Sequence, residues 1–200
     1  MTKIAVLVGS LQAKSVNKLL ARNLEMLAPE GTQFDYVDIS TLPLFNQDLE
    51  ANFPASAQAM KYIIESADGV LFVTPEYNRS ISGVLKNAID WASRPWGSNS
   101  FNGKPAGIVG ATISPLGTGP AQSDLRHIAA YLGTKLMGQP ELYLSVSAET
   151  FDENGDVTQS LRQNLQGYIV SLVGWIEDSN APRVKLELGS AQKPTTIAIN

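Results

Sequence analysis

The sequence predicts one doubly wound α/β domain, in which the strands of a buried parallel sheet alternate with helices. Short continuous apolar runs, typical of strands buried on both faces, recur along the chain. Between these runs lie stretches whose apolar residues repeat at the 3.6-residue spacing of amphipathic helices. The chain has 200 residues, of which 44% are apolar, and this is enough to form one buried core.

The first two strands are separated by one helix. Residues 4–8 form the first apolar run, which ends at Gly9. Leucines at helical spacing then predict a helix over residues 16–27, and Pro29 stops it. Residues 34–39 are the second predicted strand.

The alternation continues to residue 176. Residues 40–52 are predicted to form a loop, and Pro54 lies near the start of the next helix, where proline is tolerated. The Asn154-Gly155 pair predicts a turn. The other predicted elements are strands over residues 69–74, 105–112 and 142–146, and helices over residues 83–92, 122–132 and 161–176.

The end of the chain does not continue this pattern. Short strand-like pieces over residues 184–188 and 195–199 are separated by glycine and proline. We therefore expect residues 1–180 to form the domain. Residues 181–200 are expected to be a terminal extension, either loosely ordered or packed against a partner subunit.

The composition excludes several function classes. With 15 basic and 19 acidic residues, the net charge of −4 lacks the basic surface of a nucleic-acid-binding protein. The absence of cysteine excludes disulfide frameworks, thiol nucleophiles and iron–sulfur ligation, and the single histidine, His127, excludes a two-histidine metal site. No stretch resembles a signal peptide or a membrane span, so we expect a cytoplasmic protein with no membrane partner.

In such a sheet, ligands bind beyond the carboxyl ends of the strands, so the loops after strands one, three and four are the candidates. The first loop joins Ser10, Ser15 and Asn17 to the start of a helix, which predicts an anion site, most simply for a phosphate. Helix capping by Ser10 or Ser15 without any ligand is the alternative. The spacing from Gly9 to Lys14 is one residue too short for a triphosphate-binding loop.

The other two loops indicate a flat ring. After the third strand, Tyr77 offers an aromatic surface and the Asn78 amide can meet the polar edge of a heterocycle, although an ordinary connection with a surface tyrosine fits equally. After the fourth strand, Gly117 and Gly119 permit close backbone approach. A dinucleotide fingerprint is not completed there, because Gln122 occupies the third glycine position.

Several of these residues resemble a known signature. Residues 75–78, Ser80, Gly83 and residues 85–91 resemble the signature of the NADPH-dependent FMN reductase family, which includes bacterial quinone, chromate and azo-dye reductases. With the first loop, over residues 9–17, the resemblance spans roughly the first 180 residues. It implies a flavodoxin-like fold, with a five-stranded parallel sheet of order 2-1-3-4-5 and helices on both faces.

The resemblance also implies a cofactor and its contacts. FMN is the implied cofactor and NADPH or NADH the implied co-substrate. The implied acceptor is a small molecule, such as a quinone, a flavin, an azo compound or an oxidised metal. The residues implied to bind FMN are Ser10, Gln12, Ser15, Val16 and Asn17 around the phosphate, and Pro75, Glu76, Tyr77, Asn78, Ser80, Thr112, Ser114 and Gly117 around the ring.

Two positions depart from the family pattern. Gln12 stands where relatives commonly have arginine, so we expect weaker FMN retention unless Lys14 replaces that charge. In the third loop, Gly117-Thr118 and Pro120 replace a glycine pair and an arginine. The resemblance further implies a homodimer or homotetramer through residues 83–96, and the apolar residues on that helix agree with an interface.

The mechanism expected from this resemblance needs no acid–base pair, because the flavin carries the chemistry. Glu76 is then expected to shape its loop by accepting backbone hydrogen bonds, and His127 needs no role. Two alternatives of other classes remain. One is a flavodoxin-type electron carrier without NAD(P)H activity, and the other is a phosphate-ligand module or small-molecule kinase using residues 9–15.

Overall fold

A parallel sheet forms the centre of the molecule in the computed structural model, which describes residues 1–182. Within that range the strands are β1 (Thr2–Val8), β2 (Thr32–Tyr36), β3 (Gly69–Val73), β4 (Pro105–Thr112), β5 (Lys135–Leu136) and β6 (Leu142–Ser145). The α-helices are α1 (Val16–Met26), α2 (Ala55–Ser66), α3 (Gly83–Ala92), α4 (Gly119–Tyr131) and α5 (Gln159–Asn180).

The order of the strands confirms the expected topology. The sheet runs β2-β1-β3-β4-β5, and β6 also pairs with β4, all in parallel. The fifth position therefore holds two short strands instead of the one that was predicted. Between them lies Pro140, which has no N–H to donate to the ladder, so the edge strand is interrupted there.

Helices cover both faces of the sheet, as predicted. Helices α2, α3 and α4 pack on one face, where Leu7 and Phe72 belong to the same apolar cluster. Helices α1 and α5 pack on the other face, around Val6 and Leu71. Alternate residues of β1 and β3 thus enter opposite cores, which explains why these segments are apolar throughout.

Several element boundaries differ from the sequence prediction. Strand β2 ends at Tyr36 instead of residue 39, because the Asp38 carboxylate accepts the Ser40 N–H at 2.9 Å and turns the chain. Helix α4 begins at Gly119, three residues earlier than predicted, since Pro120 fits the first turn of a helix. The predicted loop over residues 40–52 contains a 3-10 helix, Gln47–Asn52.

The apolar face of α3 is covered by the chain itself. Trp91 is fully buried, makes edge-to-face contacts with Phe45 and Phe53, and donates its indole N–H to the Pro43 carbonyl at 2.8 Å. The segment that contains Pro43, Phe45 and Phe53 lies far from α3 in sequence and covers Trp91. The interpretation of the Trp91 face as a subunit interface is therefore wrong, whereas Trp96 remains 79% exposed.

The last part of the domain is the long helix α5, which extends past residue 176 to Asn180. The turn predicted at Asn154-Gly155 is confirmed, since Gly155 has a φ of +84° and an isolated bridge joins Phe151 to Val157. The strand-like pieces at 184–188 and 195–199, and nearly all of the proposed extension, lie outside the described residues. None of the helices within residues 1–182 has both the length and the apolar character needed to span a membrane.

Candidate functional site

Three loops meet at the carboxyl edge of the sheet, because β1, β3 and β4 are neighbours there. The Gly9 N–H donates to the Val73 carbonyl at 2.8 Å, and the Thr74 N–H donates to the Val109 carbonyl at 2.9 Å. The Ser82 hydroxyl donates to the Gly9 carbonyl at 2.6 Å. The loops after these strands are thus bonded into one rigid surface.

The loop after β1 presents unused hydrogen-bond donors. Within residues 1–182, none of the backbone N–H groups of residues 10–15 donates to a protein acceptor. Ser15 caps α1, and its oxygen accepts the N–H groups of Asn17 and Lys18 at 3.2 and 3.4 Å. Capping and anion binding are therefore compatible, since the Ser15 hydroxyl proton, the free N–H groups and the helix dipole all favour a phosphate.

Asn17 has a different partner from the expected phosphate. Its side-chain Nδ2 donates to the Ala111 carbonyl at 2.9 Å, and its Oδ1 accepts the Ala111 N–H at 2.9 Å. This buried pair of bonds joins the first turn of α1 to β4. The pair therefore gives Asn17 a structural role that the sequence did not indicate, and its second Nδ2–H has no acceptor among residues 1–182, so phosphate binding by this amide stays a prediction.

The loop after β3 is a tight hairpin. Tyr77 and Ser80 exchange both backbone hydrogen bonds at 3.0 Å, and Asn78 and Arg79 have φ values of +52° and +68°. These features define a two-residue turn of type I′. The hairpin fixes the backbone at Tyr77, a residue that is 54% exposed, and it follows the buried Pro75.

Glu76 connects this hairpin to α4, as expected for a residue that shapes its loop. Its Oε2 accepts the Ala121 N–H at 3.2 Å in the first turn of α4, where a carboxylate is favoured by the helix dipole. Its Oε1 lies 3.5 Å from the Arg79 guanidinium. Each carboxylate oxygen of Glu76 therefore has a partner, and both contacts hold the loop in place.

The loop after β4 closes the site from the other side. The Gly117 N–H donates to the Ser114 carbonyl at 3.0 Å, and the Thr112 hydroxyl accepts the Ser114 N–H at 3.4 Å. Gly117 has a φ of +59°, and a Cβ there would lie 2.5 Å from the Tyr143 carbonyl oxygen. The loop thus requires glycine at this position.

Gln122, at the third glycine position of the incomplete dinucleotide fingerprint, has a structural role. It is fully buried, and its Nε2 donates to the Thr118 hydroxyl at 2.8 Å and to the Leu142 carbonyl at 2.7 Å. These bonds connect the start of α4 to β6. The polar type of this residue on a helix face was the available signal, and Thr118 lies one helical turn before it, but the Leu142 partner is 20 positions away.

The arrangement as a whole fits FMN. Unused donors at a helix N-terminus suit the phosphate, and the rim between the hairpin and the β4 loop suits an apolar ring. Large apolar side chains are exposed on all three loops: Leu11, Tyr77, Ile113 and Leu116. Gln12 and Lys14 are exposed beside the phosphate loop, and Val16 is half-buried at the first position of α1.

Comparison with known proteins identifies the family of the chain. The family model described as NADPH-dependent FMN reductase matches residues 2–149. The chain belongs to the NADPH-dependent FMN reductase family. It is 50% identical over 177 residues to a 2-hydroxy-1,4-benzoquinone reductase of a Burkholderia species, and the match covers 88% of this chain and 97% of that protein.

Other members of the family give the same result. The chain is 38% identical over 179 residues to a quinone reductase of Pseudomonas putida, covering 89% of this chain and 96% of that protein. Among solved structures, the flavoenzyme NAD(P)H:(acceptor) oxidoreductase FerB from Paracoccus denitrificans matches with a TM-score of 0.85 and 41% identity. That match covers 90% of this chain and 99% of FerB.

These findings confirm the family, the flavodoxin-like fold and the main functional prediction. The chain is an NAD(P)H-dependent oxidoreductase with FMN as its cofactor. The flavodoxin-type electron carrier is the less favoured alternative, because these relatives are named as reductases that use a nicotinamide.

Proposed function

We propose that the three loops hold FMN with its phosphate at the start of α1 and its ring between the β3 and β4 loops. The observation that carries this proposal is the set of unused backbone N–H groups of residues 10–15 above the α1 N-terminus. Ser10 and Ser15 add hydroxyl donors, and Gln12, Val16 and Asn17 border the same loop. Around the ring we place Pro75, Glu76, Tyr77, Asn78, Ser80, Thr112, Ser114 and Gly117.

The protein's own groups bind and orient in this scheme. FMN, when bound, supplies the two-electron chemistry between the nicotinamide and the acceptor. The Tyr77 hairpin is fixed by its own hydrogen bonds and by Glu76, so it sets one wall of the ring site. The Asn78 amide is exposed on that hairpin, where it can meet the polar edge of the ring.

We propose a quinone as the acceptor. The rim of the site supports this choice, because Ile113 is 84% and Leu116 57% exposed on the loop that would border the ring. Exposed apolar groups around a pocket favour a flat apolar ligand over a strongly hydrated anion. The Burkholderia relative is named for reduction of a benzoquinone. The cytoplasmic location expected from the sequence stays a prediction.

A visible absorption spectrum with an anaerobic titration tests the function. The purified protein should be yellow, or become so with added FMN, and NADH or NADPH should bleach it without oxygen. A benzoquinone should then restore the colour. Saturating FMN that leaves tryptophan fluorescence and the melting temperature of the flavin-free protein unchanged would contradict the proposal, because a ligand that binds only the native state must stabilise it.

We also propose that the chain forms a homodimer or homotetramer through the region of residues 83–96. The apolar face of α3 is buried within the chain and does not support an interface. The exposed Trp96, after α3, and Tyr131, at the end of α4, do support one. Trp96 and Tyr131 are each 79% exposed, and both line a cavity of about 410 Å³. The Arg94 guanidinium lies 5.6 Å from the centre of the Trp96 ring and holds it in place.

A further inference from the structure

A separate cavity of about 450 Å³ lies where β2 ends, beside the phosphate loop. We call it the β2-end cavity. Its volume falls within the range of roughly 300–1,000 Å³ that is typical of small-molecule sites. The side chains that matter for its chemistry are Ser10, Leu11, Lys18, Arg22, Tyr36 and Asp38.

Two cations face this cavity from α1. Lys18 and Arg22 are four residues apart, so they lie on the same face of the helix, one turn apart. Within residues 1–182, no carboxylate lies within 4.0 Å of either cationic group. Neither cation is thus held in a direct ion pair, although the Glu25 and Asp38 carboxylates also line the cavity. Arg22 can bind a phosphate through two donors.

The opposite wall provides an aromatic ring and a hydrogen-bond acceptor. The Tyr36 hydroxyl donates to the Glu25 carboxylate at 2.8 Å. This bond fixes the ring and gives one Glu25 oxygen a hydrogen-bond partner. The Asp38 Oδ1 accepts the Ser40 N–H and hydroxyl at 2.9 and 2.6 Å. These bonds, together with the charge of Lys18, lower the pKa of Asp38, so its carboxylate is an acceptor at neutral pH.

We propose that the β2-end cavity binds the adenosine diphosphate part of the nicotinamide dinucleotide. The inference rests on the proposed function, in which the nicotinamide docks on the flavin. Lys18 and Arg22 bind the pyrophosphate, and the free oxygen of Asp38 accepts the hydroxyl groups of the ribose. The Tyr36 ring, 41% exposed, supplies a surface on which the adenine stacks.

The position of the cavity agrees with this ligand. Neighbouring strands are about 4.8 Å apart, so in the order β2-β1-β3-β4 the end of β2 lies about 10 Å from that of β3 and about 14 Å from that of β4. The flavin ring is placed at β3 and β4. Ser10 and Leu11 line the cavity and also belong to the phosphate loop, so the cavity adjoins the proposed flavin site. A dinucleotide can connect the two.

The test compares donors with and without the adenylate, using the FMN-loaded protein. Arg22→Gln should raise the KM for NADH and NADPH about tenfold and leave kcat unchanged, as expected when binding of ground and transition states is lost equally. Reduced nicotinamide mononucleotide lacks the adenylate, so its kcat/KM should not change. Lys3→Gln is the matched control, because it removes one cation at the opposite end of β1. This control should leave all three donors unaffected.

Calorimetry with ADP tests the cavity without turnover. ADP should bind the FMN-loaded protein and compete with NADH, and Arg22→Gln should weaken its binding about tenfold. An unchanged KM in Arg22→Gln, or no heat with ADP, would overturn the inference. A loss of FMN affinity in Arg22→Gln would also overturn it, since the cavity would then belong to the flavin.

Failure of the proposed function would look different. In that case neither NADH nor reduced nicotinamide mononucleotide would bleach the FMN-loaded parent protein. The ADP titration would still decide whether the β2-end cavity takes a nucleoside diphosphate.

Discussion

Tyr168 buries its hydroxyl without a hydrogen-bond partner among residues 1–182. A Cβ on Gly107 would lie 2.7 Å from this hydroxyl, so glycine there leaves room for the phenol. Burial raises the pKa of Tyr168 far above its ordinary value, because the phenolate would lose its hydration. The native protein therefore keeps this proton under alkaline conditions in which the unfolded chain releases it.

Tyr168→Phe should make the protein less sensitive to alkali. Near pH 8 the free energy of unfolding should change by no more than about 1 kcal/mol, since no hydrogen bond is lost. Above about pH 10 the unfolded tyrosine ionises and the native one does not, so the parent loses up to about 1.4 kcal/mol per pH unit from this residue. Urea unfolding between these conditions measures the difference.

The control for this comparison is Tyr62→Phe, at a tyrosine that is 73% exposed on α2. Its stability should follow that of the parent at every pH. If Tyr168→Phe also followed the parent above pH 10, the phenol would have to be accessible to solvent in the native state.

Helix α1 shows how much of the site the sequence could predict. The helix and the loop before it follow from residues close together in the chain, and the sequence predicted both, with capping by Ser10 or Ser15 as the alternative to an anion site. The role of Asn17 depends on Ala111, 94 positions away, and no local spacing indicates that contact. The same applies to α3, whose apolar face was evident although the Phe45 and Phe53 segment that covers it was not.

Two alanine variants in α1 should therefore behave differently. Ser15→Ala should weaken FMN binding about tenfold or more by removing a hydrogen bond to a charged group, and cost about 1 kcal/mol as a lost cap. Asn17→Ala should lower the stability of the flavin-free protein by roughly 2–4 kcal/mol, because it leaves the buried N–H and carbonyl of Ala111 unpaired.

Fluorescence titration with FMN and urea unfolding of the flavin-free proteins separate these effects. Ser66→Ala, at an exposed position at the end of α2, is the control for loss of a serine hydroxyl. An Asn17→Ala protein of normal stability with weakened FMN binding would restore the phosphate role that the sequence indicated.

At the scale of the whole molecule, both proposed sites lie at the carboxyl edge of the sheet, whereas the proposed interface lies on the α3 and α4 side. A groove of about 360 Å³ between these helices joins Ile89 and Asp90 to His127 and Ile128. It shares Ser93, Arg94, Tyr131 and Leu132 with the cavity below Trp96. One continuous surface on this side therefore carries both exposed aromatic residues.

Replacing Trp96 and Tyr131 together by serine should dissociate the oligomer. Burying a large side chain contributes about 1.5–3 kcal/mol, and each residue would be buried twice in a symmetric dimer, so their loss is large beside a typical association energy. Light scattering of the FMN-loaded parent should give a multiple of 21.5 kDa, and the double variant should give that mass itself. Tyr62→Ser, on α2, should leave the oligomer intact, because that tyrosine lies outside this surface. A parent with the mass of one chain would instead mean that the exposed aromatic pair serves some other contact.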